Sequence, residues 1–148
     1  MSDRRILIIE DGTEYIETMQ RFVREGFAWE RAGSGPAGLE RLKSGGIDAI
    51  LLDMRFDRAP EGELFGDLDQ LAERFSGDRV LARRFAEDHQ GTFILAALRE
   101  AGHTLPVVLS YDFSAEPARF SRLAERFGPV AYLGDNASPD ELRAALSG

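Results

Sequence analysis

Short β-type runs alternate along the chain with segments whose apolar residues recur every three or four positions. The run "RRILIIED" is followed by "TEYIETMQRFVREG", in which Ile16, Met19, Phe22 and Val23 fall at helical spacing before a glycine. "FAWERAG" then has the pattern of a strand, "GPAGLERLKSGG" that of a short helix, and "DAILLD" that of a strand that is apolar on both faces. The first third of the chain is therefore predicted to be β-α-β-α-β.

The same alternation resumes after residue 90. "GTFILAALREAG" predicts a helix, "LPVVLS" a strand, "EPARFSRLAERFG" a helix and "PVAYLG" a strand. "SPDELRAALSG" predicts a last helix, with Ser138 as its N-cap and Pro139 at its first position. Five strands alternating with five helices predict an α/β fold: a doubly wound, five-stranded parallel sheet with helices on both faces.

Residues 57–90 interrupt this alternation between the third strand and the third helix of the regular pattern. Leu64, Leu68, Leu71 and Phe75 share one helical face, and "SGD" then breaks the run. We expect two extra helices here, the second fusing into the helix that follows. We expect these helices to pack onto a single domain spanning residues 1–148, because neither a linker nor a repeat divides the chain.

Composition narrows the classes of function. The chain has 148 residues, 43% hydrophobic and 30% charged, with a net charge of −8 and no cysteine. The negative charge disfavours nucleic-acid binding, no apolar run is long enough for a membrane span, and disulfides and thiolate metal sites are excluded. We expect a cytoplasmic protein. Lys43 is the single lysine among 18 basic residues, so chemistry that needs an ammonium group has one candidate.

Polar residues end the predicted strands, where ligands bind in parallel α/β sheets. Glu10 and Asp11 end the first strand, Asp53 the third and Ser110 the fourth, and Tyr132 lies in the fifth. If the first and third strands are neighbours, three carboxylates converge on one small site. Their mutual repulsion favours a hard cation among them, and Mg²⁺ is the natural one.

The ordered set of these residues resembles the receiver domain of two-component response regulators. This resemblance implies a flavodoxin-like receiver fold in which Asp53 accepts a phosphoryl group and Glu10 and Asp11 bind Mg²⁺. It also implies that the backbone carbonyl of Arg55 completes the metal shell and that Ser110 contacts the phosphoryl group. Tyr132 is similar to the aromatic residue that changes rotamer on activation.

Two positions depart from the receiver pattern. Receivers carry a lysine three residues after the switch aromatic, and Asp135 stands there in this chain. Lys43, in the second helix, is badly placed to replace that lysine. Unless Arg55 or another arginine moves in, a phosphoryl group on Asp53 lacks its usual countercharge, and phosphorylation is expected to be reduced. Asp57 stands where the family has a proline, at the point where the insert begins.

Each candidate residue also has a purely structural interpretation. Asp53 is also interpretable as the polar terminator of a buried strand, and Glu10 and Asp11 as acids that favour the first helix N-terminus. Ser110 and Tyr132 are equally open to roles in strand-end hydrogen bonding and in packing. His89 and His103 are isolated from each other and are assigned no function.

Three functions follow from these observations. The first is a non-enzymatic signalling protein that is phosphorylated on Asp53 and acts through contacts with a sensor kinase or a downstream target. The second is a pseudo-receiver that binds partners without phosphorylation and uses the insert. The third is a small Mg²⁺-dependent phosphohydrolase, although Arg55 stands where such enzymes place a second aspartate and no Gly-rich phosphate loop follows the first strand.

Overall fold

The computed structural model describes residues 3–134 and 136–147. Within them, five strands form one sheet, in agreement with the predicted number. The strands are β1 (Arg4–Ile9), β2 (Phe27–Ala32), β3 (Ala49–Asp53), β4 (Val107–Ser110) and β5 (Val130–Leu133).

Seven α-helices surround this sheet in the same described stretches. They are α1 (Glu14–Phe22), α2 (Gly35–Leu42), α3 (Leu68–Glu73), α4 (Arg79–Asp88), α5 (Gln90–Glu100), α6 (Pro117–Phe127) and α7 (Pro139–Ser147). Ser138 caps α7 as predicted, since its hydroxyl accepts the N–H of Glu141 at 3.1 Å. None of the helices in these residues is long and apolar enough to cross a membrane.

The sheet is parallel throughout, with the strand order β2-β1-β3-β4-β5. β3 is the central strand, flanked by β1 and β4, so the first and third strands are neighbours as the convergence of the three acids requires. The order reverses between β1 and β3, and the carboxyl ends of these strands meet at one edge of the sheet. The predicted doubly wound parallel fold is confirmed.

Alternate residues of the strands enter two separate cores. In β1, Leu7 and Ile9 pack on the face covered by α2, α5 and α6, whereas Ile6 and Ile8 pack on the face covered by α1 and α7. All four side chains are fully buried. This two-sided burial explains why the buried parts of β1, β3 and β4 are continuous apolar runs, whereas the edge strands β2 and β5 are only partly buried.

The insert forms the two predicted extra helices, α3 and α4, after one turn of 3₁₀ helix at Glu61–Glu63. Leu71 and its neighbours form a small third core with Phe93 of α5. The predicted fusion of the second extra helix with the next one is wrong, because the backbone of His89 (φ −112°, ψ 12°) separates α4 from α5.

Buried Gln90 anchors the insert to the sheet side of the molecule. Its side-chain carbonyl accepts the N–H of Phe65 at 2.7 Å, and its amide donates to the Phe65 carbonyl at 2.9 Å. On the opposite face of the sheet, the four apolar residues that fall at helical spacing in and directly after α1 differ in burial. Met19 and Val23 are buried, whereas Phe22 is 61% exposed.

Candidate functional site at the carboxyl edge of the sheet

Asp53 ends the central strand, directly opposite Ser110 in the β3–β4 register. Its Oδ1 accepts the N–H of Met54 at 2.9 Å, which orients the carboxylate at the start of the following loop. Ser110 is buried, with 4% of its surface exposed. The structure therefore brings the proposed acceptor and the proposed hydroxyl contact side by side.

Glu10 is almost fully buried and caps helix α1. Its two carboxylate oxygens accept the N–H groups of Tyr15 at 3.1 Å and Ile16 at 3.0 Å. Thr13, the N-cap residue by position, makes no side-chain cap bond, so Glu10 satisfies these N–H groups instead. Burial raises the pKa of Glu10, and the two N–H donors partly oppose that rise.

Asp11 contacts the loop that follows β3. Its Oδ2 accepts the backbone N–H of Arg58 at 2.7 Å, so the carboxylate holds this loop across the end of the sheet. The Arg58 guanidinium pairs with Glu14 of α1 at 2.8 Å, which lowers the pKa of Glu14 and raises that of Arg58. The insert thus begins beside the acidic pair.

Tyr15 was not predicted as a site residue. It lies in the first turn of α1, the helix that follows β1. Its hydroxyl contacts the Ser110 hydroxyl at the end of β4. Because β3 lies between β1 and β4, this contact passes over the end of the strand that carries Asp53. The sequence showed only an aromatic in a helical pattern, and no local signal indicated a partner 95 residues away.

Two clefts border Asp53, one on each side of β3. The first, which we call the acidic cleft, has a volume of about 500 Å³. It is lined by Glu10, Asp11, Glu14, Tyr15, Thr18, Met19, Asp53, Arg55, Asp57, Arg58, Ala137 and Leu142. Five carboxylates and two arginines in this lining give the β1 side of Asp53 an excess of negative charge.

The acidic cleft fits a hard cation in its chemistry and only partly in its geometry. Among residues 3–134 and 136–147, no group of three or more His, Asp or Glu side chains is arranged to hold a metal ion. Both oxygens of Glu10 already accept N–H groups of α1, whereas Asp11 accepts a loop N–H through Oδ2. Asp11 is therefore a better candidate for a direct metal ligand than Glu10.

The second cleft, which we call the basic cleft, lies on the β4 side and has a volume of about 410 Å³. Its lining residues are Asp53, Met54, Arg55, Asp88, His89, Ser110, Tyr111 and Arg119. Arg55 borders both clefts, and its guanidinium pairs with Asp57 at 3.6 Å and Asp88 at 3.2 Å. His89 and Arg119, which the sequence did not single out, thus join Asp53 and Ser110.

Gly91 allows α5 to approach the site closely. Its N–H donates to the Met54 carbonyl at 2.8 Å, and a Cβ at this position would lie 2.7 Å from the Asp53 carbonyl oxygen. Moving these backbone atoms apart would disrupt the end of β3, so only glycine fits at this position. The insert therefore connects to α5 directly behind the proposed acceptor.

Comparison with solved structures gives the fold a precedent. The receiver domain of the Francisella response regulator 1452 superposes with a TM-score of 0.66 at 16% identity, over 98% of this chain and 94% of that one. A CheY-like receiver domain protein from Methanospirillum hungatei gives 0.62 at 19% identity, over 99% and 92%. The chain has a receiver-domain fold.

A third similar structure is described as an adenylate cyclase from Rhodopirellula baltica, with a TM-score of 0.66 at 16% identity over 99% of this chain and 86% of that one. No model of a known protein family matches the sequence, and no curated protein matches it either. The comparisons therefore confirm the predicted resemblance for the fold, and the site residues depend on their own geometry.

Within this receiver fold, Tyr132 is half-buried on β5 and packs its ring against Phe113 and Phe120, with centroids 5.3 Å and 4.7 Å away. This position is compatible with both packing and a rotamer switch. Asp135 lies outside the described residues. Lys43 follows α2 and pairs with Glu40 at 2.9 Å, and it lines neither cleft.

Proposed function

We propose that this protein is a cytoplasmic signalling receiver that accepts a phosphoryl group on Asp53 and acts through contacts with other proteins. The observation that supports this most is the position of Asp53. It ends the central strand with carboxylates on its β1 side and with Ser110 and arginines on its β4 side. Phosphoryl transfer to a carboxylate needs both a cation and donors for the phosphoryl oxygens.

In the proposed reaction, a carboxylate oxygen of Asp53 attacks the phosphorus of a phosphodonor. A new O–P bond forms, the bond from phosphorus to the leaving group of the donor breaks, and the leaving group departs with that electron pair. The product is an acyl phosphate. Ser110 donates its hydroxyl hydrogen to a phosphoryl oxygen once the contact with Tyr15 is released.

Magnesium fits this proposal as the cofactor. Asp11, Asp53 and the backbone carbonyl of Arg55 would hold it, with Glu10 fixing the position of α1 beside them. When bound, the ion offsets the charge on the carboxylate and on the phosphoryl oxygens. Asp11 and Glu10 thus have separate tasks within one acidic pair.

The proposed partners are a sensor kinase that supplies the phosphoryl group and a target protein that recognises the modified state. The chain would act as one receiver-like unit, since the insert packs on α5 rather than standing apart. The face around Tyr132 and α6 borders the basic cleft through Tyr111 and Arg119. This face is the proposed site of change.

Intact mass after incubation with Mg²⁺ and acetyl phosphate tests the proposal. The wild-type protein and an Asp112→Asn control should each gain one phosphoryl group, because Asp112 is a nearby carboxylate that follows β4 and lines neither cleft. Asp53→Asn should gain none. Equal modification of Asp53→Asn would contradict the assignment of the acceptor.

A phosphorylation-independent pseudo-receiver is the second candidate. The helix-capping role of Glu10 and the lack of a three-acid metal group in the described residues favour it. A folded wild-type protein with no mass gain would support this candidate and would direct attention to the insert, where Val80 is 71% exposed. Turnover of a generic phosphate ester would instead support a phosphohydrolase.

A further inference from the structure

The basic cleft has a feature that the receiver pattern does not assign. Receivers place a lysine after β5, and in this chain an acid, Asp135, stands at that position. Arg119, on α6, lines the same cleft as Asp53 and Ser110. A cation is therefore supplied to this side of Asp53 by a different element of the fold.

Arg119 is held in place by aromatic rings. Its guanidinium carbon lies 5.4 Å from the centre of the Tyr111 ring and 5.5 Å from that of Phe113. Only 23% of its side chain is exposed. A stacked guanidinium keeps its edge N–H groups available and has already lost much of its rotamer freedom, so binding a phosphoryl group costs it little further entropy.

The other cations near Asp53 are less suited to this task. Arg55 is 66% exposed and pairs with two carboxylates, Asp57 and Asp88. Arg58 is 60% exposed, pairs with Glu14 and lines only the acidic cleft. Neither lies over an aromatic ring in the described cation–π contacts.

Among the residues that the structure describes, Arg119 pairs with Glu116, whose carboxylate oxygen lies 3.2 Å from its Nη1. Glu116 also accepts a hydrogen bond of 2.5 Å from the Tyr111 hydroxyl, which lowers the pKa of Glu116 and raises that of Tyr111. Glu116 is thus satisfied without Arg119. A dianionic phosphoryl group in the cleft is a stronger competitor for the guanidinium than this shared carboxylate.

We propose that Arg119 is the phosphoryl-binding cation of this protein and that it exchanges Glu116 for the oxygens of the acyl phosphate on Asp53. This inference rests on the proposed function. Because Arg119 belongs to α6 and its stacking partner Phe113 contacts Phe120 and Tyr132, the exchange acts directly on the face formed by α6 and β5. Arg119 therefore binds the phosphoryl group and also transmits the effect of its binding to this face.

The test compares phosphoryl uptake, by intact mass with Mg²⁺ and acetyl phosphate, in four variants. Arg119→Ala should lower the rate of uptake roughly tenfold or more, as expected for loss of a charge-assisted contact, and Arg119→Lys should recover part of it. Arg122→Ala, an exposed arginine of the same helix, should match the wild type. Glu116→Gln should raise the rate, because it removes the competing anion.

The phosphorus NMR signal of the acyl phosphate provides a second readout. Its chemical shift should change in Arg119→Ala and stay constant in Arg122→Ala. If Arg119→Ala takes up the phosphoryl group at the wild-type rate, and its acyl phosphate has the wild-type chemical shift, this inference is overturned and the proposed function stands. A lower rate in Glu116→Gln, parallel to that of Arg119→Ala, would assign Arg119 a structural role instead. Absence of uptake by the wild type would overturn both proposals.

Discussion

The two clefts beside Asp53 differ in the balance of charged groups in their linings. The acidic cleft on the β1 side has five carboxylates and two arginines, whereas the basic cleft on the β4 side has two carboxylates and two arginines, together with Ser110 and His89. Asp53 and Arg55 border both. The difference shows how one strand-end carboxylate is placed between a lining with an excess of carboxylates and a lining in which arginines balance them.

The clefts also differ in how the chain builds them. The acidic cleft takes most of its lining from two segments, residues 10–19 and 53–58, with Ala137 and Leu142 completing it. The basic cleft combines β4, the α4–α5 junction at His89 and α6. The insert therefore contributes to the anion side of the site and not only to the surface of the molecule.

The largest effect should come from the acidic cleft. Asp11→Asn preserves the acceptor for the Arg58 N–H while removing the charge, and it should reduce phosphoryl uptake by roughly a hundredfold, as expected when a metal-binding charge is lost. Chelation of Mg²⁺ should have the same effect on the wild type. The matched control is Glu14→Gln, an acid of the same cleft that pairs with Arg58. Equal losses in the two variants would mean that only net charge matters.

On the other side of Asp53, Ser110→Ala should slow phosphoryl uptake by roughly tenfold, because it removes a hydroxyl donor to a charged oxygen.

Tyr15→Phe removes the hydroxyl that contacts Ser110 and leaves the Ser110 hydroxyl in place, so it should maintain or raise the rate of uptake. The rates are read by intact mass over time. Slower uptake in Tyr15→Phe would show that the Tyr15 contact supports the reaction.

The smallest effect should come from an ion pair remote from both clefts. Arg41 donates to Glu30 at 2.7 Å and 2.9 Å, and these bonds lower the pKa of Glu30. Since the pKa in the folded state lies below the unfolded value, this stabilisation is present above the unfolded value of about 4.5 and is lost as the pH falls through the folded value.

Glu30→Gln should therefore lower the Tm by roughly 2 °C at pH 7, with a smaller difference near pH 3 and no change in phosphoryl uptake. Thermal unfolding at the two pH values, together with the mass assay, checks this. Lys43→Ala, which breaks a more exposed pair with Glu40, is the control and should change the Tm less. A change in phosphoryl uptake in Glu30→Gln would contradict the view that the Arg41–Glu30 pair does not affect the two clefts beside Asp53.

The fold was predictable because the central strands β1, β3 and β4 contain two-sided apolar runs and the helices have start or stop residues in the sequence. Ser138 and Pro139 fixed the start of α7, for example. The break at His89 was not predictable, because the apolar pattern continues through it and the backbone turn depends on tertiary contacts. Phe22 shows the same limit: a spacing of three or four residues after Met19 admits both Phe22 and Val23, and only Val23 is buried.

The sequence predicted the candidate site only for residues whose position at a strand end determines where they lie in the fold. Asp53, Asp11 and Ser110 lie at strand ends, so the parallel sheet brings them to one edge. Tyr15 and Arg119 reach this edge through the angles of α1 and α6, which no local pattern encodes. The capping role of Glu10 was also hidden, because it follows from the path of the chain between β1 and α1.

A structure of the protein with Mg²⁺ and beryllium trifluoride, a stable mimic of the phosphoryl group, tests the two-sided site most directly. We predict beryllium on a carboxylate oxygen of Asp53, the cation on the side of Asp11, and fluorides contacted by Ser110 and Arg119, with Arg119 displaced from Glu116. Binding of both groups on one side of β3, or an Asp53 without beryllium in a protein that otherwise binds Mg²⁺, would contradict the account.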